Sequence, residues 1–230
     1  MKRFYKEVTV SAAPFRILLD GRPVKTPARV PLELPTAALA EALAEEWRSQ
    51  GDEIAPEAMT LTKLANTALD RVATMREAVI EQVAAYVNDL LCYRAEHPAD
   101  LVTMQSAEWD PLLDWAAERY GARLRTRPGI VHFAQSDDAV AALRRAVEAY
   151  DDFALTALAT VAPILGSLVL ALALAEGRLD AEAAFALSTL DERYQSERWG
   201  KDAEAETRAA GLLDAVKSVE HFLHLSSRTR

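Results

Sequence analysis

Five prolines (Pro14, Pro23, Pro27, Pro31 and Pro35) punctuate the start of the chain, and from Thr36 onward apolar residues recur at three and four positions instead. Proline gives no backbone N–H to a helix interior or a central strand, so the opening segment can hold only short or edge strands. The later spacing is that of helices with one apolar face. This switch predicts an α+β chain: a small β-rich N-terminal unit over 1–50, then a larger, mainly α-helical orthogonal bundle over 51–230.

Local signals fill in both parts. Phe4 to Val10 and Phe15 to Leu19 read as strands, and Asp20-Gly21 suits a tight hairpin turn before Val24. Thr36 caps a helix carrying Leu39, Leu43, Glu46 and Trp47 that stops at Gly51, and a second helix carries Leu61, Leu64, Ala68 and Val72. A third, longer helix is predicted through Val79, Val83, Val87, Leu90 and Leu91, with Cys92 inside it. Trp109-Asp110-Pro111 reads as a helix start and Gly121 as its end, followed by short extended pieces on either side of Pro128-Gly129. Ser136 caps the next helix, and Asp180 caps one expected to reach Trp199. The last helix presents Leu212, Val216, Val219 and Leu223 to the core, for six or seven helices in all. From Phe153 to Ala175 no side chain is charged, a length that could cross a bilayer. Pro163 and Gly166 interrupt that run and its flanks are acidic, so it reads as a buried helix-break-helix.

Charge and cysteine content exclude several classes. With 26 basic against 35 acidic side chains and a net charge of −9, the chain lacks the basic footprint of a general nucleic-acid binder. Residues 1–31 nonetheless hold seven basic and two acidic side chains, a net of +5, which leaves −14 for the remainder. Basic residues on strand edges commonly guard against edge pairing. The single Cys92 excludes a disulfide scaffold and suits a reducing compartment. The first residues have no apolar run behind their charges, so neither a secretory signal nor a transit peptide is expected.

Constellations that carry chemistry are absent. No glycine-rich loop follows a strand, and the eight glycines build no phosphate cradle. His221 and His224 stand at metal-ligand spacing, but a histidine pair near a helix C-terminus is accounted for by the helix dipole. Cys92 between Leu91 and Tyr93 reads as buried and inert. Acidic pairs such as Glu45-Glu46 and Asp151-Asp152 point about 100° apart on a helix and read as solvated faces. The exception is Leu190 to Asp202, where Asp191, Glu192, Glu197 and Asp202 interleave with Tyr194 and Trp199. Acid mixed with aromatic residues fits a protein-binding surface; a structural cap between two helices is the plainer reading. A small-molecule-binding or hydrolytic enzyme using Glu192 and Trp199 is the alternative, and it requires a deep concave site.

Taken in order, several motifs resemble one family, the assembly chaperones of the alpha subunit of the F-type ATP synthase catalytic head. They are Lys2-Arg3-Phe4-Tyr5-Lys6, Leu19-Asp20-Gly21-Arg22-Pro23-Val24-Lys25-Thr26-Pro27, and Glu46-Trp47 with Gln50. Next come Asn66-Thr67-Ala68 with Asp70-Arg71-Val72, Asp89-Leu90-Leu91-Cys92-Tyr93-Arg94, and Trp109-Asp110-Pro111-Leu112-Leu113. Gly166 to Leu172, and Leu190-Asp191-Glu192 with Gln195, Glu197, Trp199, Gly200 and Asp202, complete the set.

The resemblance implies a chaperone and no enzyme, needing neither nucleotide nor metal. Its partner would be the unassembled alpha subunit, whose exposed interface it would shield from aggregation, with no nucleic acid and no stable membrane insertion. The resemblance places the acid that matters for activity within Leu190 to Tyr194, with Glu192 first and Asp191 second. Mitochondrial relatives tend to carry three successive acids there, whereas this chain reads Asp191-Glu192-Arg193. Glu197, Trp199 and Asp202 complete the implied partner surface, while Trp47 and Trp109 are structural or docking anchors. A start directly on the first motif implies a bacterial cytoplasmic member over a processed matrix protein.

Overall fold

The computed structural model describes residues 1–200 and 202–227. The chain forms two compact units, one of Met1–Glu77, Asp151–Ala157 and the stretch from His221, the other of Ala78–Tyr150 and Leu158–Glu220. The α+β class holds, with strands concentrated at the N-terminus and helices nearly everywhere else.

In the first unit, β1 (Val8–Val10) pairs antiparallel with β2 (Phe15–Leu19), whose end pairs with β3 (Arg22–Pro23) and whose start pairs with β4 (Glu33–Leu34). The hairpin turns where expected, because Asp20 and Gly21 both take positive φ, 48° and 75°. The Asp20 carboxylate accepts the Glu7 and Lys6 amides at 2.8 and 3.0 Å, and these bonds hold its carboxyl below the ordinary range. Val8, Ile17 and Leu19 are buried, and α1 (Ala37–Arg48) buries Leu39, Ala40, Leu43 and Ala44. Thr36 caps α1 by accepting the Leu39 amide at 3.1 Å.

A partner distant in sequence starts the next helix. The first amides of α2 (Thr60–Thr67) have no local side-chain cap. Glu46 on α1 accepts the Leu61 and Thr62 amides at 2.8 and 2.9 Å, so a carboxylate meets the positive end of the helix dipole. A π-helical turn, Ala68–Val72, follows, and its Asp70 accepts from Thr26 and from the Ala28 amide, bracing the Pro27 turn.

The second unit is built around α7 (Leu168–Ala175). Residues 168–173 have no exposed surface, as an all-apolar helix requires. Gly166 (φ 62°) and the Ser167 cap separate α7 from α6 (Asp152–Leu165), the expected helix-break-helix. Among the described residues no helix is long and apolar enough to cross a membrane.

Five expectations are corrected. The third helix, α3 (Arg76–Ala84), ends early, and Val87, Leu90, Leu91 and Cys92 lie in two 3-10 turns beyond it. The cause is Asp89, whose buried carboxylate accepts the Leu91 amide at 3.0 Å and the Val169 amide at 2.9 Å, a competitor for continued helix. Cys92 is buried all the same, and burial pushes its thiol up to about 12.

Asp110-Pro111 does not start a helix. Here α4 runs from Ala99 to Tyr120 through Pro111, with Leu101, Gln105, Trp109, Leu112, Leu113 and Ala116 on its buried stripe. Asp110 instead pairs with Arg94 at 2.7 Å, and burial of the stripe outweighs the one hydrogen bond that proline removes. Gly121 ends α4 in the left-handed conformation (φ 73°), as read from the sequence.

The helix capped by Asp180 stops early. It divides at Thr189 into α8 (Ala181–Ser188) and α9 (Leu190–Trp199), because the Leu187 carbonyl accepts the buried Trp109 indole at 3.1 Å. Finally, Leu212 is 40% exposed. None of Ala203–Ala215 is buried in α10 (Ala203–Ser226), and the core contacts begin at Val216. With α5 (Asp137–Glu148), capped by Ser136, the described residues form ten α-helices where six or seven were expected.

Candidate functional site

Helix α9 divides its residues sharply between two environments. Leu190 and Tyr194, four apart, are 0% and 2% exposed, while Glu192, Arg193, Gln195 and Glu197 lie outside. The Tyr194 hydroxyl donates to Asp100 at 2.6 Å, and burial and that bond push the phenol up, so it stays protonated as a donor. Arg198 places its guanidinium 3.8 Å from the centre of the Tyr194 ring and pairs with the same Asp100. Tyr194 and Arg198 together hold the Asp100 carboxyl below the ordinary range. Only ordered partners fix a helix with so little apolar surface of its own.

The two leading acids differ. Asp191 is half-buried and accepts from Gln105 Nε2 at 2.7 Å, whereas Glu192 is exposed. Gln105 is itself 1% exposed, and its carbonyl end accepts the Ala95 amide at 2.8 Å. Gln105, Asp100 and Arg198 escaped the sequence reading. The available signal was a lone glutamine among Leu101, Trp109 and Leu112 on an apolar stripe, which is a buried polar group that must find partners.

Trp199 closes the helix at 76% exposure, and Gly200 (φ 97°) ends it. Asp202 is exposed and accepts the Glu204 amide at 2.9 Å; its carbonyl accepts the Glu206 amide at the same distance, making it the cap of α10. Trp199 is thus a large aromatic side chain in solvent, with Arg198 beside it and Glu197 and Asp202 two and three positions away. A depression lined by Asp114, Ala117, Glu118 and Arg123 lies on residues outside α9. Among the described residues no group of histidine, cysteine, aspartate and glutamate could hold a metal ion.

Of the other three tryptophans, Trp109 and Trp47 are the two singled out by sequence, and both pack against the protein. Trp109 is 1% exposed, bonded to Leu187, with the Arg94 guanidinium 5.4 Å from its ring. Trp47 is half-buried, with Tyr5 edge-on at 5.7 Å, and its carbonyl accepts the Tyr5 hydroxyl at 2.7 Å. It thus ties the N-terminal segment to α1.

Comparison with known proteins places this arrangement. A family model described as ATP12 chaperone protein matches residues 2–117. The crystal structure of Atp12 from Paracoccus denitrificans superimposes with a TM-score of 0.94 at 44% identity, covering 98% of both chains. The Atu1473 protein of Agrobacterium tumefaciens gives 0.91 at 43% identity, over 97% of this chain and 85% of that one. The mitochondrial protein atp12 of Schizosaccharomyces pombe is 25% identical over 216 residues, 86% of this chain and 74% of that protein. By motif order, by sequence and by fold, this chain belongs to the ATP12 chaperone family, whose members are chaperones and not enzymes.

Proposed function

We propose that this protein is an assembly chaperone of the F-type ATP synthase that binds the unassembled alpha subunit and covers the surface later used for subunit contact. Obligate interfaces bury about 2,000 Å² or more and are apolar, so a free subunit aggregates unless that surface is shielded. Transient shielding needs a surface, with no cofactor and no reaction. The outward face of α9 supplies one: Trp199 as the apolar anchor, with Glu192, Glu197 and Asp202 exposed along the same stretch. The exposure of Trp199 on a stretch that also exposes Glu192, Glu197 and Asp202 is the observation that carries this reading, because tryptophan is the residue type most enriched among interface anchors. The same exposure disfavours an enzyme pocket around Glu192 and Trp199. A bacterial cytoplasmic location is part of the proposal, the lack of a membrane-spanning helix among the described residues being consistent with it.

The test is co-purification of this protein with isolated alpha subunit, with the beta subunit as control, alongside light scattering of the warming alpha subunit. The expected result is capture of alpha only and suppressed scattering near equimolar ratio. Absence of capture at micromolar concentration overturns the proposal.

A further inference from the structure

One short helix cannot cover an obligate interface, and a second exposed apolar element stands on the same unit. In the segment 121–136 there is no acidic residue, while Arg123, Arg125 and Arg127 are all exposed, in a chain of net charge −9. At its tip, Ile130 and Val131 are 93% and 65% exposed.

This tip is held from both sides. Strand β6 (Arg127–Pro128) pairs in parallel with β5 (Tyr93–Arg94), and the Gly129 amide donates to the Arg94 carbonyl at 2.9 Å. Gly129 has φ 82°, the conformation that lets the chain turn at this point. Beyond the tip, Phe133 packs edge-on against Tyr93 at 5.4 Å and His132 Nδ1 lies 3.1 Å from Asn88 Oδ1. Gln135 closes the loop by exchanging two bonds with the Arg125 backbone, at 2.8 and 2.9 Å. A turn of this kind requires nothing apolar at its apex, so the isoleucine and valine serve no local need.

The loop and α9 share one support. Gln105 accepts the Ala95 amide, next to the strand residue that binds Gly129, and donates to Asp191 at the start of α9. We infer that the loop around Ile130-Val131 is a second client-contact element, taking an apolar segment of the alpha subunit with an acidic rim. This inference rests on the chaperone reading above. Three arguments favour protein as the occupant: the area an obligate interface demands, the acid-free arginine rim beside an exposed apolar tip, and the ordering of the loop before binding, which lowers its entropic cost.

Ile130→Ser with Val131→Ser in the full chain tests it, with binding to immobilised isolated alpha subunit measured beside the wild type. The double variant is expected to bind about tenfold more weakly or worse, with its thermal midpoint unchanged within a few degrees. Arg127→Glu should slow association and reduce its salt dependence. Wild-type binding with equal binding by the double variant overturns this inference and leaves the chaperone reading standing. No binding by the wild type overturns both. A collapse of the double variant's midpoint would show that the tip packs on the protein itself and overturns the inference. Capture of a single-stranded DNA oligonucleotide by the wild type, lost in Arg127→Glu, would assign the loop to nucleic acid and likewise overturn it.

Discussion

Asp89 carries a carboxylate into the apolar centre of the second unit. Burial pushes it up from 3.8 to about 6, against the pull of bonds from Val169, Ser167, Leu91 and Leu168. The native state therefore binds this proton more tightly than the unfolded chain. Stability from this site is greatest below the unfolded value and falls as pH rises through about 6, by an amount on the order of 3 kcal/mol. Asp89→Asn does not titrate, so urea unfolding from pH 4 to 7 should show the wild type losing ground to the variant by about that much. A gap that stays flat across this range would sink the prediction. The residue lies inside a motif legible in the sequence, yet its role as a joint between the turn before β5 and the start of α7 was not. Val169 is 80 positions away, and spacing reports only on neighbours.

At the level of elements, caps and turns were readable because they are local. Thr36, Ser136 and Asp180 each bond an amide three residues on, and Asp20-Gly21 turns its own hairpin. Helix ends set by distant partners were not readable. Pro111 sits inside α4 because buried Trp109 and Leu112 hold both sides in place, and α8 gives way to α9 where Trp109 takes the Leu187 carbonyl. Gln105 is the joint among α4, β5 and α9. Gln105→Ala would leave the Ala95 amide and the Asp191 carboxylate without this partner, a loss of about 1–3 kcal/mol. Chemical denaturation measures it, and a change under about 0.5 kcal/mol would show that water replaces the glutamine without penalty. If the loop and α9 act together, the same variant also weakens client binding.

For the molecule as a whole, function follows from what is left outside. Glu192→Lys reverses an exposed charge on α9, so client binding should fall about tenfold and depend less on salt, while the thermal midpoint moves by only about 2 °C. A midpoint that collapses would make Glu192 a structural residue and remove it from the proposed surface. The sequence by itself determined the proline-limited strands, the switch to helices at Thr36, the caps, the all-apolar α7 and the buried Cys92. Each depends on chain neighbours or on the number of apolar residues that water excludes. Only the tertiary structure decided that Trp109 is enclosed and Trp199 exposed, that Asp191 is tied down and Glu192 is not, and that residues 151–157 and those from His221 join the N-terminal unit. Those outcomes rest on contacts such as Gln105 to Asp191, 86 residues apart, and burial between distant segments leaves no period in the sequence.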